Sequence, residues 1–193
     1  MSLDYAILGL LSIQPMTGYD LSKHFDSTVR HFWPATQSQI YRHLGKLDDK
    51  DWITPEVIPQ ANRPATKIYH LTETGERALH KWLATAHPLQ ESREPFLIQV
   101  LFANNLSYDE IAEVFAAEMT SIEDQLRVYE GIYTHWLHRS APDQRGLYFR
   151  LLTLEFGLRS NQVYLDWLRS IHQRITAGDL HNPPLDHFKP KDD

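Results

Sequence analysis

Between Leu3 and Leu83 the chain runs through three short, separately capped helical periods and then switches to extended periodicity, an order that few folds accommodate. The first apolar stripe is Leu3, Ile7, Leu8 and Leu11, with Ser2 as its cap and Pro15 as its stop. Thr17 caps a second helix, Asp20 meets its free amides, and Leu21, Phe25 and Val29 follow at spacings of four. After a turn at Trp33-Pro34, Thr36 and Gln39 match the S/T-x-x-E/Q capping box of a third helix, whose buried stripe is Ile40, Leu44 and Leu47. Ile53 to Gln60 is then extended. Pro55 and Pro59 lie an even number of residues apart, so both missing amides face one side, as an edge strand tolerates. Residues 61–66 form a loop, Lys67 to Leu71 return as a second strand, and Thr72 caps a helix carrying Ala78, Leu79, Trp82 and Leu83.

Helix, helix, helix, hairpin is the order of a winged helix-turn-helix. Opposite the buried stripe of the third helix lies a short polar face centred on Ser38 and Arg42, with Gln39, Tyr41, Gly45 and Lys46 beside it. Such a face suits a major groove, where Ser38, Gln39 and Arg42 are placed to read base edges and Tyr41 and Lys46 to hold phosphates. Asp48, Asp49 and Asp51 crowd the far end, so the N-terminal half of the helix is expected to enter the groove. Arg63 in the wing loop and Lys67 at its base are the further candidate phosphate contacts. The same order occurs in winged-helix modules that bind only protein, and the pattern alone leaves that alternative open.

Charge bears on the choice. The whole chain of 193 residues carries a formal charge of -6, which is unusual for a nucleic-acid binder. The deficit is confined to one end. Residues 1–86 hold nine Lys/Arg against nine Asp/Glu, while the remainder holds ten against sixteen. The first part is neutral, so what matters is where its cations point.

Pro88 and Pro95 bracket a polar link, and the composition beyond it is helical. Leu97, Val100 and Leu101 mark the buried side of a short helix, and Ser107 with Glu110 forms a second capping box opening a long one. Along that helix Phe115, Met119, Ile122, Leu126, Tyr129, Tyr133 and Trp136 alternate steps of four and three. After a break at residues 142–146 a second seam follows: Leu151, Leu154, Leu158, Asn161, Leu165, Leu168, His172 and Ile175. Two heptad seams suggest an antiparallel helix pair that also docks on its copy, with Asn161 fixing the register. Packing of the two seams on each other inside one chain is the alternative.

The sequence is thus expected to be mainly α with a small β-hairpin wing. Residues 1–87 would form the winged helix-turn-helix DNA-binding domain, 94–177 a helical dimerisation domain and 178–193 a disordered tail. The dimerisation residues would be Phe115, Ile122, Leu126, Leu151, Leu158, Asn161, Leu165 and Leu168.

Several stretches carry a family resemblance. They are residues 6–11 (AILGLL), 17–21 (TGYDL), 39–47 (QIYRHLGKL) and 63–75 (RPATKIYHLTETG). In this order across some eighty residues they resemble the PadR family of prokaryotic transcriptional regulators. The resemblance implies a homodimer on a pseudo-palindromic double-stranded operator, usually a repressor, released in many members by a small aromatic or drug-like effector. Carried over by position, it implies DNA contacts from Tyr41 and the start of the third helix, Thr36 and Gln37 included, with Arg63 and Lys67 serving the wing. Many members have Pro after the Ile/Leu-Tyr pair, whereas this chain has Arg42, an extra cation on the groove-facing side.

Other chemistry finds little support. There is no cysteine, hence no disulfide, thiolate metal site or thiol nucleophile. No glycine-rich phosphate loop and no G-x-S-x-G motif occur, and an enzyme is not expected. His135 and His138 have a metal-ligand spacing but no acidic third partner, so no metal and no cofactor are expected. No apolar run reaches membrane length and no signal peptide is evident, which points to the cytoplasm. The aromatic side chains of the C-terminal half, Phe115, Tyr164 and Trp167 among them, would line either an effector pocket or a core, with Tyr5 and Trp33 as contributors from the other half.

Overall fold

The computed structural model describes residues 2–60, 65–88, 93–137 and 143–179. Arg63, His138 and the tail beyond Asp179 lie outside them. Backbone contacts group the chain into two compact units, residues 1–90 and 91–193.

In the first unit the elements are α1 (Ser2–Leu11), β1 (Met16–Thr17), α2 (Gly18–Thr28), α3 (Gln37–Asp48), β2 (Ile53–Ile58), β3 (Thr66–Leu71) and α4 (Glu73–Leu83). Helix starts follow the caps. The Thr17 hydroxyl accepts from the Asp20 amide at 3.1 Å, and Thr72 does the same for Gly75 at 3.1 Å while donating to the Asp51 carbonyl at 2.7 Å. Ser2 is the first helical residue of α1 rather than its cap. The apolar stripes of α1, α2 and α3 converge on one core in which Ile7, Leu8, Leu21, Phe25, Ile40, Leu44 and Leu47 are all but inaccessible.

Among the described residues the sheet has three strands, one more than the sequence suggests. It is antiparallel in the order β1-β3-β2, with Met16 opposite Tyr69 and Ile53 opposite Leu71. The two residues of β1 are too few to show a period, and their partners are far along the chain, so sequence pattern could not reveal them. As the prolines require, β2 lies at an edge, but it ends at Ile58, before Pro59. Gly75 permits the junction of β3 with α4: a Cβ there would sit 2.0 Å from the Trp52 carbonyl oxygen.

The second unit contains α5 (Pro95–Leu101), a 3₁₀ turn (Ala103–Asn105), α6 (Tyr108–Leu137) and α7 (Gln144–Thr176). Ser107 and Glu110 form the expected box: the Ser107 amide donates to the Glu110 carboxylate at 2.8 Å and the Glu110 amide to the Ser107 hydroxyl at 3.3 Å. The helices α6 and α7 form an antiparallel hairpin, with Trp136 near Leu147 and Leu151 at one end and Ile111 near Ile175 at the other. Phe115, Ile122, Tyr129 and Trp136, seven residues apart, are buried on α6; Leu154, Leu165, Leu168 and Ile175 answer them on α7.

The two seams therefore pack on each other within one protomer. Leu168 is 0% and Phe115 and Leu165 are each 2% exposed, so these side chains have no surface to offer a second copy. Ile122 is buried with them, while Leu126, Leu151 and Leu158 are half-buried against the same clusters. Asn161, half-buried, donates its amide to the Gly157 carbonyl of its own helix at 2.8 Å. In α5 Phe96 is buried, its ring meeting Phe115 edge-on at 5.1 Å, and Val100 packs against the same core as expected, while Leu97 and Leu101 face outward. A two-turn helix started by Pro95 has its face set by one large ring, which outweighs the stripe expected of it. Aromatic side chains beside Phe96 serve packing: Tyr164 stacks on Trp167 at 5.8 Å and donates to Glu118 at 3.0 Å. Tyr5, likewise, stacks on Trp82 at 4.7 Å.

No helix of the described residues is long and apolar enough to cross a membrane, and among them no three His, Cys, Asp or Glu are grouped to hold a metal ion.

Candidate nucleic-acid interface

The sequence of α3 sorts its residues onto two faces. Ile40, Leu44 and Leu47 anchor one in the core; Gln37, Ser38, Tyr41, Arg42, Gly45 and Lys46 are exposed on the other. The helix start is fixed by its capping box. The Thr36 amide donates to Gln39 Oε1 at 2.8 Å, and the Gln39 amide donates back to the Thr36 hydroxyl at 3.3 Å. This commits the Gln39 carbonyl oxygen, which bidentate pairing with a base would need. Thr36 and Gln39 therefore build the leading end of the helix, beside which Gln37, Ser38 and Arg42 stand exposed.

Beneath the helix sits a polar group that the sequence reading passed over. His43 Nδ1 is hydrogen-bonded to Asp4 of α1, and Lys50 Nζ donates to the other oxygen of that carboxylate at 3.3 Å. Asp4 is 2% and His43 6% exposed, so this is a buried charged cluster tying α3 to α1. Burial pushes the Asp4 carboxyl up, but hydrogen bonds from His43 and Lys50, with their charges, outweigh it and hold it below the usual carboxylate value. A signal was present in the sequence: Asp4 and His43 each occupy a position on an otherwise apolar stripe, three residues before Ile7 and three after Ile40.

Tyr41 is positioned by its contact with α2. Its ring lies so close to Gly18 that a Cβ there would be 2.6 Å from the ring edge, which explains why Gly stands between Thr17 and Tyr19. The ring forms one wall of a cleft of about 400 Å³ whose other walls include Thr17, Gly18, Lys67 and Tyr69. The fold thereby brings Tyr41 of α3 and Lys67 at the wing base to one opening. Burial, with the Tyr41 phenol and the Asp48 carboxylate nearby, pushes the Tyr69 phenol up.

Cations that are already paired contribute little to phosphate binding. In this unit Arg30 pairs with Asp26 at 3.0 Å, Lys50 with Asp4 at 3.3 Å and Arg77 with Glu73 at 2.8 Å. Arg42, Lys46 and Lys67 have no carboxylate within salt-bridge distance among the described residues, and all three are exposed. A unit of zero net charge thus presents unpaired positive charge on the outer face of α3 and at the wing base.

Comparison with known proteins agrees with this geometry. Residues 7–81 match the transcriptional regulator PadR-like family, and residues 92–176 match the family described as virulence activator alpha, C-terminal. The negative transcriptional regulator PadR of Bacillus subtilis is 32% identical over 176 residues, spanning 88% of this chain and 94% of that protein. The crystal structure of B. subtilis PadR in complex with operator DNA superposes with a TM-score of 0.79 at 33% identity, covering 91% of this chain and 99% of that one. The complex of the same regulator with p-coumaric acid gives a TM-score of 0.76 at 31% identity, covering 90% and 95%. The family is one of transcriptional regulators, not of enzymes. On the strength of that identity over most of both chains, this protein belongs to the PadR-like family of transcriptional regulators.

Proposed function

We propose that the protein is a cytoplasmic homodimeric repressor whose two α3 helices enter successive major grooves of a pseudo-palindromic operator. Residues 1–87 would serve as the DNA-binding domain and 94–177 as the dimerisation domain. The observation that carries this reading is the exposed Arg42, with no carboxylate partner among the described residues, on the leading half of a helix whose opposite face is locked into the core. Ser38 and Arg42 read bases; Tyr41, Lys46, Arg63 and Lys67 hold phosphates, with Thr36, Gln37 and Gln39 presenting the helix end to the backbone. The relative solved with operator DNA supports the mode of binding.

Dimerisation falls to the outer face of the α6–α7 hairpin. Phe149, Leu152, Phe156 and Val163 of α7 follow one another at three, four and seven residues and remain exposed, Phe156 to 73%. An apolar stripe of heptad spacing on the outside of a long helix suits a second copy of itself. The B. subtilis relative solved with p-coumaric acid supports a small aromatic acid or phenol as effector. Such a ligand would weaken operator binding.

A mobility-shift titration tests the reading, using DNA from upstream of the protein's own coding sequence at two salt concentrations. Binding that weakens steeply with salt, and weakens again on adding p-coumaric acid, is expected. A salt-insensitive absence of binding would overturn the regulator reading; salt-dependent binding indifferent to phenolic acids would remove only the effector.

A further inference from the structure

Lys23 is a cation of the N-terminal unit to which the proposed operator contacts assign no part. Lys23 lies on the outer face of α2, is exposed, and has no carboxylate within salt-bridge distance among the described residues. Its ammonium is held over the ring of Tyr19, 4.5 Å from the centroid. Tyr19 is itself 55% exposed, an aromatic platform facing solvent rather than core. A cation–π contact of this kind fixes the direction of a side chain that is otherwise free to rotate.

The place Lys23 occupies is informative. Tyr19 and Lys23 form one side of an open cleft of about 360 Å³, and Thr36 and Gln37, at the leading end of α3, form the other. That is the end proposed to enter the groove. The remaining charges on this cleft cancel, since Arg30 pairs with Asp26 at 3.0 Å. Asp20 accepts from the Thr17 hydroxyl at 2.7 Å and attracts Lys23 only from a distance. The Tyr19 phenol, and more weakly Asp20, keep the Lys23 ammonium charged, its pKa raised above the ordinary lysine value. In a helix-turn-helix the first helix of the pair crosses the sugar–phosphate backbone while the second lies in the groove.

We propose that Lys23, oriented by Tyr19, is a backbone clamp: it binds a phosphate on the strand flanking the groove that α3 enters. The ligand class is a nucleic-acid phosphodiester. Lys67 lines a neighbouring cleft that shares Tyr19 with this one, so Lys23 would add a second backbone contact beside that of Lys67. This rests on the operator-binding reading, which it deepens.

The test is a set of fluorescence-anisotropy titrations of the full-length protein over a range of salt, with the upstream DNA fragment and with an unrelated duplex of equal length. Lys23→Ala is expected to weaken binding to both duplexes by the same factor. It should also flatten the slope of log K against log salt by about 1.8 per dimer, about 0.9 for each phosphate released. Lys23→Arg should restore the slope, and Tyr19→Ala should weaken binding by a smaller factor because the charge remains. Lys81→Ala, an exposed lysine of α4, should leave the slope unchanged. A Lys23→Ala protein with wild-type melting behaviour and wild-type slope would overturn the clamp while leaving operator binding intact. A wild-type protein with no salt-dependent binding would overturn both.

Discussion

Asp4 on α1 and His43 on α3 are hydrogen-bonded to each other directly behind the helix proposed to read DNA, and Lys50 closes the group from the solvent side. The helix is thus held on its inner face by a buried polar clamp as well as by apolar packing. Removing Asp4 leaves His43, 6% exposed, without its buried partner, which costs more than the pair itself contributes. Asp4→Ala should therefore destabilise the protein by about 3 kcal/mol, read from urea or thermal unfolding. Because the Asp4 carboxyl is held below its value in the unfolded chain, its contribution is complete above about pH 4 and is lost as pH falls through the folded value. The difference between wild type and Asp4→Ala should shrink over that acidic window. A constant difference down to pH 3 would contradict the clamp.

Gly75→Ala and Gly18→Ala should fail in different ways. At Gly75 the new methyl meets the Trp52 carbonyl at 2.0 Å, a backbone atom that cannot step aside, and a loss of about 1–3 kcal/mol in unfolding is expected.

At Gly18 the obstacle is the rim of the Tyr41 ring, which is 44% exposed and free to swing outward. Stability should change little while operator affinity falls, since Tyr41 leaves its place beside Lys67. In a double-mutant cycle, Gly18→Ala should add nothing once Tyr41→Ala is present. Additive losses in affinity would mean that Gly18 acts through something other than Tyr41.

The hairpin separates folding from assembly. Leu168→Ala, at a position with 0% exposure, should cost about 2–5 kcal/mol of stability. Phe156→Glu, on the outer stripe, should leave the helical signal intact and produce monomers in light scattering, with operator affinity falling in parallel. A folded Phe156→Glu protein that stays dimeric would assign the interface to another face.

What the sequence made legible was what is local and periodic. The caps at Thr17, Thr36, Thr72 and Ser107 all form, because each depends on side chains three residues apart. The stripe of α3 and its exposed face could be read from a single period of 3.6. Pairings distant in sequence escaped. Met16 joins Tyr69 across more than fifty residues, and Asp4 finds His43 across thirty-nine. Heptad spacing located both long seams but was silent on whether their partner is the same chain or another, since the two cases demand the same pattern. The commitment of Gln39 to its cap was legible in the capping box itself, although its place on the outer face suggested base reading.

Whether the outer face of α3 reads the operator through Arg42 is decided by Arg42→Ala in binding selection from genomic fragments and from a library varied across the operator. Arg42→Ala should lose about 1–3 kcal/mol, confined to one base-pair position in each half-site where the preference relaxes. Unchanged affinity and unchanged preference at every position would contradict base reading by Arg42.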